Sequence, residues 1–245
     1  MKIPAFITVR SLSTRLPEKC FLPFGNVSVL EHVIKRAIFY DLNPIVCTTT
    51  ETSDDVIVDL AKKCNVIFYR GPVKNKLLRW SECCEHFNLS SFHSVDADDP
   101  FFDGDEVKRS MKILEDEGLD MVCPTKSSSA GGASVGYSLK ADAIQRACKG
   151  LDKDTDTEMM WNYMEKVPGL KTKILLEQRK NISNMRLTLD YKEDYWLLES
   201  VRRIVGNLAS RDKIDQLFLS NPDMHKINWF RNDEWQAAQA NKKLS

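Results

Sequence analysis

Between Ala5 and Cys123 the sequence alternates five times between short apolar runs and amphipathic stretches. That alternation points to a mostly parallel sheet with helices on both faces, because parallel strands need a crossover and a helix supplies it. Ala5-Phe6-Ile7-Thr8-Val9 is apolar, β-branched or aromatic and too short for a helix, so it reads as a buried strand. Ser28 followed by Glu31 is a capping-box pattern. Apolar residues then recur at Leu30, Val33, Ile34, Ala37 and Ile38, which predicts an amphipathic helix. Further strands are expected at Pro44–Thr49, Val66–Tyr69, Ser91–Val95 and Asp120–Cys123, with helices from Ser53 to Cys64, Lys76 to Phe87 and Asp105 to Glu117.

The loop after the first strand starts at Val9 and holds Arg10, Ser11, Ser13, Thr14, Arg15 and Lys19. Open α/β sheets bind ligands at the carboxyl ends of their strands. Three cations and hydroxyl donors gathered there suit a polyanion, most simply a triphosphate. A solvated loop with scattered charge is the plainer alternative. Neither G-x-G-x-x-G nor G-x-x-x-x-G-K-[ST] occurs, so neither a dinucleotide fingerprint nor a P-loop can be invoked.

At 245 residues the chain suits one α/β domain with a large core and possibly a small appendage. Its 35 basic and 35 acidic residues cancel, which argues against a general nucleic-acid surface. No apolar run approaches the ~20 residues of a membrane span, and Met1-Lys2-Ile3-Pro4 lacks the apolar core of a signal peptide. The seven cysteines contain no C-x-x-C and fit a reducing compartment, so a cytoplasmic location is expected. The histidines, His32, His86, His93 and His225, are scattered, and no motif singles one out as a catalytic base.

The alternation weakens after Pro124. Residues 126–134 are small and polar, either a loop near a site or a plain connector. Val135–Leu139 is expected as a strand, Lys140–Ala147 and Thr157–Met164 as helices, and Lys171–Leu176 and Met185–Leu189 as strands. Helices over Glu193–Val205 and Ser210–Leu219 follow. The tail, 225–245, carries Trp229, Phe230 and Trp235 and is expected to dock on this subunit or a partner.

Two acidic positions have the context of chemistry. Asp96-Ala97-Asp98 ends the fourth expected strand, across from the cationic loop. Magnesium is typically held by one or two carboxylates plus phosphate oxygens, and this is a place for it. Asp190 repeats the strand-then-Asp arrangement, and as the plainer alternative it caps the helix that follows.

Ile7–Lys19 resembles the nucleotide-binding signature A-R-x-x-S-x-R-L-P-G-K of the cytidylyltransferases that activate acidic sugars. These include the CMP-Kdo and CMP-sialic acid synthetases and the SpsF-like spore-coat polysaccharide proteins. The chain keeps Arg10, Ser13, Arg15-Leu16-Pro17 and Lys19 and has Glu18 in place of Gly. The resemblance extends over most of the chain. Phe68-Tyr69-Arg70-Gly71 with Arg79 is similar to an SpsF-like segment, Val95–Pro100 to strand-G-D-x-P, and Arg186–Asp194 to R-L-T-V-D-x-x-E-D. Ala97 replaces a Gly, Leu78 an Asp and Gly136 a Glu, all nearer the acceptor side of the family site.

The resemblance implies a Rossmann-like, GT-A-like nucleotidyltransferase domain over 1–245, with an acceptor-site or dimerisation element in about 125–185 and a homodimer. It implies CTP as substrate, Mg²⁺ as cofactor bound by Asp98 and Asp190, and CMP transfer to a small acidic sugar. Arg10, Lys19, Asp98 and Asp190 are the implied catalytic residues. Val9, Arg10, Ser11, Ser13, Arg15, Lys19, Arg70, Arg79 and Asp96 are the implied nucleotide contacts. Alternatives are a GT-A-type glycosyltransferase, against which the R-L-P-x-K loop speaks, a sugar-phosphate or phosphonate nucleotidyltransferase, and a nucleotide binder without turnover. Nucleic acid and membrane are not expected as partners.

Overall fold

The computed structural model describes residues 2–13, 15–129, 131, 136–179 and 184–244. Its central strand, β1 (Pro4–Thr8), is followed by a short hairpin of β2 (Pro23–Phe24) and β3 (Val27–Ser28). Then come α1 (Val29–Phe39), β4 (Asn43–Thr49), α2 (Asp55–Lys63), β5 (Ile67–Gly71), α3 (Lys76–His86), β6 (Ser91–Asp96) and α4 (Gly104–Asp116). The second half holds β7 (Met121–Cys123), α5 (Lys126–Ser129), β8 (Ser138–Lys140), α6 (Ala141–Ala147), α7 (Trp161–Met164) and β9 (Thr172–Ile174). Three helices close the chain, α8 (Lys192–Val205), α9 (Arg211–Ser220) and α10 (Arg231–Leu244).

Seven strands form one sheet in the order β5-β4-β1-β6-β8-β7-β9. Only β8 runs against its neighbours. The chain winds outward from β1 through β4 to β5, then returns to place β6 on the other side of β1. β1 and β6 therefore flank the switch point where such sheets bind ligands. The register pairs Thr8 with Asp96, so the cationic loop and the aspartate run leave the same edge side by side.

Side chains alternate along a strand, which sends Phe6 and Ile7 to opposite faces. Phe6, Ile45, Cys47 and Phe92 pack with Trp80 of α3 and Ile144 of α6. The Phe6 and Phe92 rings stack with centroids 4.1 Å apart. Ile7, Val46 and Val95 pack on the other face with Leu30, Val33 and Ile34 of α1 and Val107 of α4. Each such buried side chain contributes about 1.5–3 kcal/mol. A third cluster joins Phe24 of the hairpin, Phe101, Leu187 and Leu189 to Leu197 and Leu198 of α8, which fastens the C-terminal helices beside the switch point.

Several expected elements differ. Met185–Leu189 is not a strand. It is irregular, with a bend at Thr188, and is held to two loops, Leu187 N donating to Gly131 O and Leu189 N to Asp98 O, both at 2.8 Å. The strand expected at Val135–Leu139 begins at Ser138, and Val135 lies outside the described residues. Lys171–Leu176 shortens to Thr172–Ile174, and the helix expected at Thr157–Met164 to Trp161–Met164, because Thr157 Oγ1 is drawn to the first turn of α3 and accepts from Leu77 N. In the polar stretch 126–134, Lys126–Ser129 forms a helical turn, and of the remainder only Gly131 is described.

Candidate active site

The segment after β1 is held from both sides. Val9 N donates to Cys47 O of β4 at 3.1 Å. Ser11 gives both its N–H and its hydroxyl to Asp54 Oδ1, at 2.8 and 2.7 Å. Asp54 also accepts from the Thr48 hydroxyl and from the main chain and hydroxyl of Thr49. Burial opposes its charge, but the Thr49, Ser11 and Thr48 donors outweigh it and hold the carboxyl below the ordinary range. Sequence reading missed Asp54, whose only signal is its place one turn beyond a strand end facing the loop. Ser13 lies half-buried in the same loop, and Thr14 lies outside the described residues.

Glu18 adopts a left-handed conformation, φ 54°, immediately before the 3₁₀ turn Lys19–Phe21. A glycine enters that region without a Cβ penalty. The family's Gly at this position is thus explained by backbone conformation, and Glu18 bears it here. The turn aims Lys19 at two carboxylates. Its Nζ lies 2.5 Å from Asp98 Oδ2 and 3.0 Å from Asp190 Oδ1. Burial disfavours the ammonium, yet Asp98 and Asp190 more than offset it and raise its pKa. Arg15 Nη2 donates to Asp190 Oδ1 at 2.6 Å. Arg10 points elsewhere, to Glu158 Oε2 at 3.5 Å, and both side chains are largely exposed.

Asp190 reaches Asp98 without a strand of its own. The main-chain bond from Leu189 N to Asp98 O sets the two residues alongside. The expected route, two parallel neighbouring strands, is replaced by this loop-to-loop contact. Helix capping falls to another residue, since Asp194 Oδ2 accepts from Asp190 N and Tyr191 N at 2.8 and 2.9 Å. The fully buried Arg186 donates to both Asp194 oxygens and reaches Asp190 Oδ2 at 3.4 Å. Its guanidinium lies 5.5 Å from the Tyr191 and Trp235 ring centroids. Asn228 adds a bond to Arg186 O. The aromatic tail thus docks on this subunit, behind Asp190. Burial opposes the Asp190 charge, but Lys19, Arg15 and Arg186 prevail and lower its pKa.

Asp96 and Asp99 stand in the opposite condition. Burial, with Asp98 and Glu158 close by, pushes Asp96 up to about 6 despite Lys76 and Lys19. Burial and the charges of Asp98, Asp96 and Asp190 push Asp99 well above the carboxylate range. Asp99 was not singled out from sequence; the signal was its place in the run Asp96–Pro100.

Arg70 and Arg79 are not brought to this junction. Arg70 donates to the carbonyls of Thr49 and Glu51 and to Asp55. Arg79 is buried and donates to Pro72 O at 2.6 Å. At Gly136, another departure from the family pattern, an added Cβ would sit 1.8 Å from Ser94 O. No glutamate enters there without moving β6.

The sheet order and its switch-point edge give the chain an α/β fold that it shares with solved nucleotidyltransferase structures, a cytidylyltransferase among them. Residues 5–217 match the cytidylyltransferase family, and the chain belongs to it. Among its relatives, an uncharacterised protein of Methanocaldococcus jannaschii is 28% identical over 242 residues, spanning 93% of this chain and 95% of the relative. The spore coat polysaccharide biosynthesis protein SpsF of Bacillus subtilis is 27% identical over 228 residues, spanning 89% and 94%. A cytidylyltransferase from Leptospira borgpetersenii superposes with a TM-score of 0.80 at 23% identity, over 92% of this chain and 97% of that one. A CMP:2-keto-3-deoxy-manno-octonic acid synthetase complexed with CTP gives 0.61 at 12% identity, over 83% and 99%. Among the described residues no helix is long and apolar enough to cross a membrane.

Proposed function

We propose that the protein transfers CMP from CTP to a small acidic sugar and releases pyrophosphate. The observation that carries this reading is the junction at the switch point, where Lys19 bridges Asp98 and Asp190 and Arg15 closes on Asp190. Two cations held against carboxylates can exchange them for phosphate oxygens. Arg10, Arg15 and Lys19 would hold the triphosphate and neutralise the departing pyrophosphate, and Ser13 would donate to a phosphate oxygen. Val9 and Ser11, fixed by Cys47 O and Asp54, would line the nucleotide. Asp96 would face it from β6, while Arg70 and Arg79 would brace the walls.

The acceptor's hydroxyl oxygen attacks the α-phosphorus and gives up its proton to solvent, the bond from that phosphorus to the bridging oxygen breaks, and pyrophosphate leaves with the electron pair. Positioning and charge stabilisation do the work, without a covalent intermediate. The donor set suits Mg²⁺: carboxylate oxygens of Asp96, Asp98 and Asp99 lie within 4.8 Å of one another beside the Lys19 ammonium, and Asp99 Oδ1 is buried without a partner. Asp98 and Asp190 would hold the cation, which when bound polarises the α-phosphate. The acceptor class, a 2-keto sugar acid such as Kdo or a nonulosonic acid, rests on the relatives named above. Pairing through the element within 125–185 and a cytoplasmic location complete the proposal. Calorimetric titration with Mg²⁺ tests the nucleotide: CTP binds more tightly than ATP, GTP or UTP. Equal or tighter binding of another triphosphate removes the cytidylyl reading.

A further inference from the structure

We infer that the cavity between α4, α9 and residues 177–179 binds a small acid through its carboxylate or phosphate oxygens, at a site apart from the nucleotide junction. The cavity has a volume of about 700 Å³, within the range of small-molecule sites. Arg109, Arg179 and Arg211 line it, whereas Lys19, Asp98 and Asp190 do not. A planar guanidinium matches the oxygens of a carboxylate or a phosphate, so three of them at one cavity define the ligand by its oxyanion.

The cavity holds donors that lack acceptors. Arg211 is 6% exposed. Among the described residues its side chain makes one hydrogen bond, from Nε to Asp215 Oδ1 at 3.3 Å, so its two terminal nitrogens have no protein acceptor. Arg109 Nε is buried and has no partner either. Unpaired buried donors are costly, and an oxyanion in the cavity supplies the missing acceptors. The carboxylates around them are engaged or solvated. Asp215 lies between two guanidiniums, since Arg179 Nη1 also donates to it at 3.1 Å. Glu106 Oε1 accepts from Thr125 N, and Asp103 Oδ1 from Asp105 N at the start of α4. Glu177 pairs with Arg179, while Asp105 and Asp212 are exposed to water. Burial and then the charge of Arg179 lower the Arg211 pKa despite Asp215, a repulsion that a bound anion relieves.

The test is a titration of the ¹⁵N-labelled full chain with citrate and, separately, with inorganic phosphate, both at constant ionic strength because exposed charges are screened by salt. The readout is the Nε–H resonances of Arg109 and Arg211 in nuclear magnetic resonance spectra, assigned through their side-chain carbons. Both resonances shift together and saturate with one dissociation constant. Saturation by citrate alone assigns the site to carboxylates, by phosphate alone to phosphates, and by both to either oxyanion. Arg109→Gln, a change at a half-buried residue, weakens the binding read at Arg211 about tenfold or more, as expected for loss of a charged hydrogen bond. Circular dichroism melts check that this variant is folded, and the wild-type titration decides by itself if it is not. Failure of both probes to saturate the two resonances overturns the inference. So does undiminished binding by folded Arg109→Gln, because the anion would then act from elsewhere.

Discussion

Lys19 donates to Asp190 Oδ1 at 3.0 Å across 171 residues of chain. The same nitrogen touches Asp98 at 2.5 Å, so one ammonium ties the first loop, the end of β6 and the entry to α8 into a single junction. The cations assigned to phosphate, Lys19 and Arg15, are held by carboxylates. Binding a triphosphate is then an exchange of anionic partners around Lys19 and Arg15.

Lys19→Ala should weaken CTP binding by about 1.5–3 kcal/mol, the range for a hydrogen bond to a charged group. CMP lacks the outer phosphates, so its affinity should change much less. Parallel titrations decide: equal losses for CTP and CMP would make Lys19 a structural residue only.

Asp98→Asn and Asp190→Asn should each lower turnover by orders of magnitude, with the double variant little worse, because residues acting as one unit are strongly non-additive. The swap is nearly isosteric, and Asp194 does the helix capping, so the fold should survive. Single-turnover rates for the four proteins decide. A fully active Asp190→Asn removes that residue from the chemistry.

The sheet's first half was legible because its strands and helices carry opposed periodicities, and Ser28, whose side chain accepts from Glu31 N, marks the start of α1; Ser53 instead lies in the turn before α2, whose N-cap is Asp54. The cationic loop was legible because Arg10, Arg15 and Lys19 follow a strand. The position of Asp190 was inferred for the wrong reason. Met185–Leu189 has the apolar pattern of a strand, but its leucines fill the third core beside α8, and its main chain bonds to loops instead of a ladder. Residue patterns record burial and do not show which backbone an extended segment meets. Glu18 and Gly136 stand out in the sequence only as departures from a motif. Their φ angles, 54° and 78°, show that backbone conformation governs both positions.

His32 supplies a pH dependence separate from the catalytic junction. Burial on α1 is the main reason its pKa falls from 6.5 to about 4, despite the bond between its Nε2 and Pro100 O. The unfolded chain takes up this proton first as pH falls, so the contribution of neutral His32 is present above about pH 6.5 and is lost toward pH 4. Between about pH 7.5 and 5 the loss is about 2 kcal/mol. Urea unfolding at both values should show that difference between wild type and His32→Gln; matching pH slopes in the two proteins would contradict it.

Gly136→Ala should destabilise the fold by about 3 kcal/mol or more, because φ 78° and a Cβ placed 1.8 Å from Ser94 O force β6 and the residues before β8 apart. Thermal melts measure it. A variant as stable as wild type would show that this connection relaxes freely.

Pyrophosphate release tests the central claim most directly. The enzyme is assayed with Mg²⁺ and each of CTP, UTP, ATP and GTP, alone and with a panel of 2-keto sugar acids. The account predicts release with CTP only when an acidic sugar is present, together with a CMP-linked product by mass spectrometry. Release with another nucleotide in place of CTP, or none with CTP and any acid in the panel while CTP binds, would contradict it.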